Sequence, residues 1–138
     1  MNSSTSTVET GRHGRVSYAR IAPNEDLVTA VEALCAELKL QRAFVRGSLG
    51  SLIDACIRTR EDGAPLHIHG PAVEIASLAG EIRPDADGVP RAFIHGVVAD
   101  ANGRVWGGAF VRGLNPICMT FELTLEEWLP DPRPALKP

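Results

Sequence analysis

The stretch from Pro90 to Gly113 limits the fold more than any other part of the chain. Apolar residues alternate there with polar or small ones on both sides of Asn102-Gly103, a pair that accepts the positive backbone angles of a tight turn. The pattern predicts two antiparallel strands joined by a two-residue turn, with His95 in the first and Gly107-Gly108 in the second. Glycine has no side chain to pack and the most backbone freedom to lose, so a pair of them weakens a strand. Something is therefore expected to approach this backbone closely: a ligand, a metal site or another subunit.

The rest of the chain extends this sheet and adds one helix. Gly14 to Ala22 alternates around Val16 and Tyr18 and reads as a first strand. Pro23-Asn24-Glu25-Asp26 reads as a helix start, with Asn24 as the cap and two acids in the first turn, where they meet the positive helix end. Leu27, Val31, Leu34 and Leu38 follow at three- and four-residue spacing, widened by Val28 and Cys35, and predict an amphipathic helix to about Leu40. Arg42 to Arg46 reads as a short strand ending in a sharp reversal at Gly47-Ser48-Leu49-Gly50-Ser51. Ile53, Ala55 and Ile57 mark another strand, residues 72–83 a longer one. Ile117, Met119, Phe121, Leu123 and Leu125 alternate with polar residues and predict a last strand with one core face. The expected architecture is α+β: an antiparallel sheet of about seven strands with one main helix on one face. Residues 1–13 read as a flexible arm, 14–129 as the domain, and 130–138, with four prolines, as an extended tail.

Charge and composition narrow the function. A chain of 138 residues fits one domain. Its formal charge of −3 argues against a constitutive nucleic-acid binder, although Arg12 and Arg15 near the start and Arg58 and Arg60 further on are candidate phosphate contacts. Cys35, Cys56 and Cys118 are odd in number, widely spaced and set among apolar residues, which reads as small buried hydrophobes. No apolar run approaches the ~20 residues of a membrane span. Met1 to Thr7 lacks a signal-peptide pattern, so the expected location is cytoplasmic. With no nucleophile elbow, P-loop or dinucleotide fingerprint, the leading expectation is a protein that is not an enzyme; the alternative is a small metal- or ligand-binding protein, an enzyme included, with a histidine site at the subunit seam.

Four pieces in a fixed order carry a resemblance: Pro23 to Asp26; Gly47 to Ser51; Glu74-Ile75-Ala76-Ser77-Leu78-Ala79-Gly80; and Asp100 to Gly108. Together they resemble the PPC domain, the family conserved between plants and prokaryotes, over residues 14–125. The resemblance implies an antiparallel sheet with a flanking helix, assembled as a homotrimer. It also implies a regulatory role with DNA or transcription-associated proteins; prokaryotic members usually stand alone and are described as candidate DNA-binding proteins. The plant members' DNA contact comes from an Arg-Gly-Arg-Pro hook, which Gly11-Arg12-His13-Gly14-Arg15 does not reproduce. Many prokaryotic relatives read Gly-Gly-His where this chain reads Gly107-Gly108-Ala109. That histidine, paired with the one matched by His95, looks like a metal-binding pair in the family, and Ala109 removes half of it.

Other residues could rebuild a site. His67 and His69 share a face of an extended segment, because side chains two apart point the same way. With His95 they are candidate ligands for a divalent transition metal such as zinc; the plain reading is that His67 and His69 are polar loop residues and His95 an interior one. Glu74 lies among Val73, Ile75 and Leu78; the plain reading puts it exposed on the other face, and if buried the carboxylate needs a partner such as Arg46, Arg58 or a histidine. Trp106 and Phe110 flank Gly108 on its own face and would wall a groove over Gly107 and Gly108, open to a ligand or a neighbouring subunit.

Overall fold

The computed structural model describes residues 5–133. Within them the chain runs β1 (Gly11–Ile21), α1 (Leu27–Leu38), β2 (Ala43–Leu52), β3 (Ala55–Arg58), β4 (Leu66–Ile68), β5 (Val73–Pro84), β6 (Pro90–Ala99), β7 (Val105–Phe110) and β8 (Ile117–Pro130). The strands form one open antiparallel sheet in the order β1-β8-β2-β5-β6-β7-β3-β4. The α+β architecture is as expected, with eight strands rather than about seven. The addition is β4, which pairs with β3 and holds His67. Of the expected arm and tail, residues 1–4 and 134–138 lie outside the described residues. Glu9 is held in place: its carboxylate accepts from the Trp128 indole and the Arg42 guanidinium, each at 2.7 Å.

Helix α1 buries Leu27, Val28, Val31 and Cys35 against inward residues of the sheet, among them Val45, Ile82, Ile94, Phe121, Leu123 and Leu125. Burying each of the larger side chains contributes about 1.5–3 kcal/mol, which is why a one-faced stripe suffices to seat the helix. The burial also pushes the Cys35 thiol up to about 11. Asp26, rather than Asn24, is the cap: its carboxylate accepts from the Thr29 N–H at 2.9 Å, and the helix begins only at Leu27. The same carboxylate takes the N–H groups of Gly113 and Asn115, at 3.0 and 2.8 Å, so the helix start is tied to the segment entering β8. Glu32 is buried on the sheet-facing side. It accepts from the Ala92 N–H at 2.9 Å and from Arg112 at 2.5 Å, satisfying a strand N–H beyond the reach of β7.

Three further expectations are corrected. Gly47 to Ser51 makes no reversal; β2 runs through it, with a register shift between Arg46 and Ser48. Gly47 takes a left-handed φ of 56° there, while a Cβ on Gly50 would fall well inside 3.0 Å of the Thr120 carbonyl oxygen. The β6–β7 turn is also longer than two residues. Ala99 pairs with Val105, and Asp100 and Arg104 close a three-residue loop with Gly103 in the left-handed position. Met119 is 74% exposed, out of step with the core face of β8, because the β2–β8 register shifts between Gly50 and Leu52.

Candidate functional site

Alternation along the central strands leaves one sheet face on the helix and core, and the other bare. On β6, Ile94 is buried in the core, so Phe93 and His95 project from the bare face. Cross-strand partners share a face. Ala79 of β5 and Ala109 of β7 therefore flank His95, and Arg58 of β3 continues the row beyond Ala109. The neighbouring row runs Phe44, Glu81, Phe93. Three shallow depressions meet at His95. One of about 400 Å³ is lined by Phe44, Arg46, Glu81 and Phe93. A second, about 280 Å³, lies over Gly96 and Gly107. The third, about 530 Å³, lies between Arg58, Arg60, Phe93 and Ala109.

The double glycine answers to the fold before it answers to a ligand. Trp106, Gly108 and Phe110 face the helix side: Phe110 is buried in the core, and Trp106 packs on the core and donates its indole N–H to Asp100 at 3.2 Å. The expected groove with Trp106 and Phe110 as walls is therefore absent from the bare face. What approaches Gly108 is strand β3, whose Arg58 carbonyl oxygen would lie well inside 3.0 Å of an added Cβ. Gly107 is different: the nearest atom to a Cβ there is 3.6 Å away, so its bareness opens the depression beside His95 and is not forced by packing.

The histidines do not gather within one chain. His67 lies on edge strand β4, opposite Cys56, with its Nε2 3.7 Å from the Cys56 sulfur. Burial raises the Cys56 thiol, while the positive charge of Arg58 pulls it the other way. His69 is exposed just past the end of β4. Three strand steps separate β4 from His95, roughly 14 Å at the usual interstrand spacing. Among the described residues no three His, Cys, Asp or Glu side chains stand close enough to hold a metal ion. Ala109 sits directly opposite His95, so at that position a transition metal meets one imidazole in a single chain. Glu74 is exposed on the outer side of β5 rather than buried.

The arginines are also dispersed. Arg12 and Arg15 lie on β1, one edge of the sheet; Arg58 lies on β3 and Arg60 just after it, six strand steps away, roughly 29 Å. Arg15 is occupied by Glu127 and by the Leu38 carbonyl, 2.8 Å away at the C-terminal end of α1. Arg60 pairs with Asp62 at 3.4 Å. Phe93, Glu81 and Arg46 around His95 escape a reading for motifs. The alternation of β6 was the signal for Phe93, since Ala92 and Ile94 read as core and place Phe93 outside.

With this geometry in view, the relatives fall into place. The chain is 33% identical over 102 residues to bifunctional protein GlmU from Synechococcus sp. (strain JA-2-3B'a(2-13)), covering 74% of this chain and 15% of that protein. It therefore spans a small part of that relative's length. Its fold is similar to that of a metal-containing protein from Archaeoglobus fulgidus, with 20% identity, a TM-score of 0.77 and coverage of 91% of this chain and 88% of that one. It is similar also to a candidate DNA-binding protein from Bacteroides thetaiotaomicron, with 16% identity, a TM-score of 0.71 and coverage of 85% and 83%. No helix among the described residues is long and apolar enough to cross a membrane. Residues 8–129 match the Plants and Prokaryotes Conserved (PCC) domain, and the chain belongs to that family.

Proposed function

We propose that this chain is an assembly module and not an enzyme: a homotrimer that buries its bare sheet face and serves DNA-associated regulation in the cytoplasm through partner proteins. The observation that carries this reading is the bare face itself. Val16, Tyr18, Leu49, Phe93 and Val105 project from it, each more than half exposed. Apolar groups this large, spread over one side of a sheet, mark an interaction surface when they lie together, and a second copy of the same chain offers a self-complementary cover. The resemblance to the family suggests the number three, and the exposed face supports the burial. The GlmU match, one short segment of a longer protein, fits a module that can be appended to other chains.

The DNA-associated role draws on the family and on the description of the Bacteroides structure. Direct contact is the weaker form of it, because the formal charge is −3 and the candidate arginines lie six strand steps apart, on β1 and at β3. Sedimentation equilibrium tests the first half: a mass of three chains is expected, falling to one in Phe93→Glu. A single-chain mass for the native protein at micromolar concentration would overturn it. Titration with duplex DNA tests the second half, since affinity from phosphate contacts falls steeply with salt. Little binding of the purified protein at low salt is expected.

A further inference from the structure

We infer that the depression between His95 and Arg58 is a binding site for a small anion, a carboxylate or phosphate monoester carrying a flat apolar body. Every residue that lines it comes from one chain, but it shares the bare face and Phe93 with the proposed subunit contact, so the inference rests on an assembly that leaves this hollow open to solvent. His95, Ala109 and Arg58 form one cross-strand row on the bare face. The two nitrogen-bearing side chains stand two strand steps apart, roughly 10 Å, and the methyl group of Ala109 leaves the gap between them open. The resulting hollow, about 530 Å³, is closed on one side by the Phe93 ring and rimmed by Thr59, Arg60 and Glu61.

Arg58 decides the sign of the ligand. Among the described residues no carboxylate forms an ion pair with it, whereas Arg15, Arg20, Arg42, Arg46, Arg60, Arg83, Arg91 and Arg112 each have one. Glu61 on the rim opposes an anion and Arg60 is already paired with Asp62, so Arg58 is the cation left to receive one. A guanidinium offers two parallel N–H donors that match a carboxylate or phosphate edge, and an imidazole adds a third donor from across the hollow. Arg83 stacks over Phe93, 4.6 Å from the ring centre, and holds the ring as a wall beside His95. An apolar body against that ring would separate an organic anion from inorganic phosphate.

Titration of isotope-labelled protein with phenyl phosphate, benzoate and inorganic phosphate, followed by NMR, tests the site. Saturable shifts are expected at Arg58, Thr59, His95 and Ala109, with phenyl phosphate or benzoate binding several-fold more tightly than inorganic phosphate. Arg58→Gln should weaken that binding at least tenfold with an unchanged sedimentation mass, and Arg104→Gln, at the β6–β7 loop, should leave it as it was. The proposal fails if no probe saturates or if R58Q binds as well as the native protein. It fails equally if R58Q changes the mass of the assembly, which would make Arg58 an intersubunit contact. Duplex DNA producing the same shifts more tightly than phenyl phosphate would also overturn it, by assigning the hollow to nucleic-acid phosphate.

Discussion

Gly96 on β6 sits directly opposite Gly108 on β7, and neither position has room for a side chain. A Cβ on Gly96 would fall well inside 3.0 Å of the Ser77 carbonyl oxygen, and one on Gly108 would meet the Arg58 carbonyl in the same way. Both clashes are with backbone, which yields less readily than a side chain. The two glycines thus let β5, β6, β7 and β3 close up beneath the row that carries His95.

That arrangement separates the two members of the Gly107-Gly108 pair by experiment. Gly108→Ala and Gly96→Ala are each expected to destabilise the fold by about 1–3 kcal/mol, the usual cost of overpacking. Gly107→Ala should change stability by under about 0.5 kcal/mol, as surface substitutions do. Urea denaturation of the three variants measures this. Equal losses at 107 and 108 would refute the assignment of Gly108 to strand packing.

The loops at either end of β6 are built alike, and this gives a pH signature. Asp85 accepts from the N–H groups of Asp87 and Val89 and from Arg91; Asp100 accepts from those of Asn102 and Arg104 and from the Trp106 indole. These bonds, the backbone N–H of Val89 and of Arg104 foremost, hold both carboxyls below the ordinary 3.8. A carboxylate whose pKa is lower folded than unfolded adds stability above the unfolded value and loses it as pH falls through the folded one. The melting temperature of the native protein should therefore fall faster below about pH 4 than that of Asp85→Asn/Asp100→Asn. Parallel acid limbs in the two proteins would rule this out.

Asn115 is fully buried and acts as a substitute strand partner. Its side-chain oxygen accepts from the Cys56 N–H at 2.8 Å, and its amide donates to the Cys56 and Val111 carbonyls at 3.0 and 2.9 Å. Removing it strands buried backbone groups, at about 1–3 kcal/mol for each one left unpaired. Asn115→Ala is expected to lose about 2–4 kcal/mol in chemical denaturation. Asn115→Asp should be no better, because a carboxylate cannot donate to the two carbonyls. Near-native stability in N115A would mean that water replaces the amide.

These cases show what the sequence made legible. The Leu27-Val31 stripe and the alternation of Phe121, Leu123 and Leu125 encode burial locally, through a period of 3.6 or 2, and the structure follows them. Asn115 carries no such period: its partner Cys56 is 59 residues away, so its role exists only after folding. Gly47 and Gly50 misled for a related reason. Glycines that read locally as a turn instead serve a register shift and a close approach by β8. The same holds for the candidate site. His95 reads as an interior residue, whereas it is exposed on the bare face; its neighbours Ala109 and Arg58 became neighbours only through sheet order, and that order is not written in any window of sequence. His67 lies on the edge strand β4 and His69 just past its end, away from His95.

The position opposite His95 offers the sharpest check on the metal question. Facing side chains on paired antiparallel strands have Cβ atoms about 4.5–5.5 Å apart. Two imidazoles at that separation can converge on one ion with Zn–N bonds of about 2.0–2.1 Å. The native chain supplies only His95 there, with the methyl group of Ala109 across from it. Ala109→His should therefore create affinity for Zn²⁺ or Ni²⁺ at least tenfold above the native protein in calorimetry, and the double variant A109H/H95A should abolish the gain. The gain should also release protons on binding at mildly acidic pH, because imidazole ligates only in its neutral form. If native protein and A109H bind either ion equally, the native ligands lie elsewhere, and the pairing of His95 with position 109 is not what controls metal binding in this chain.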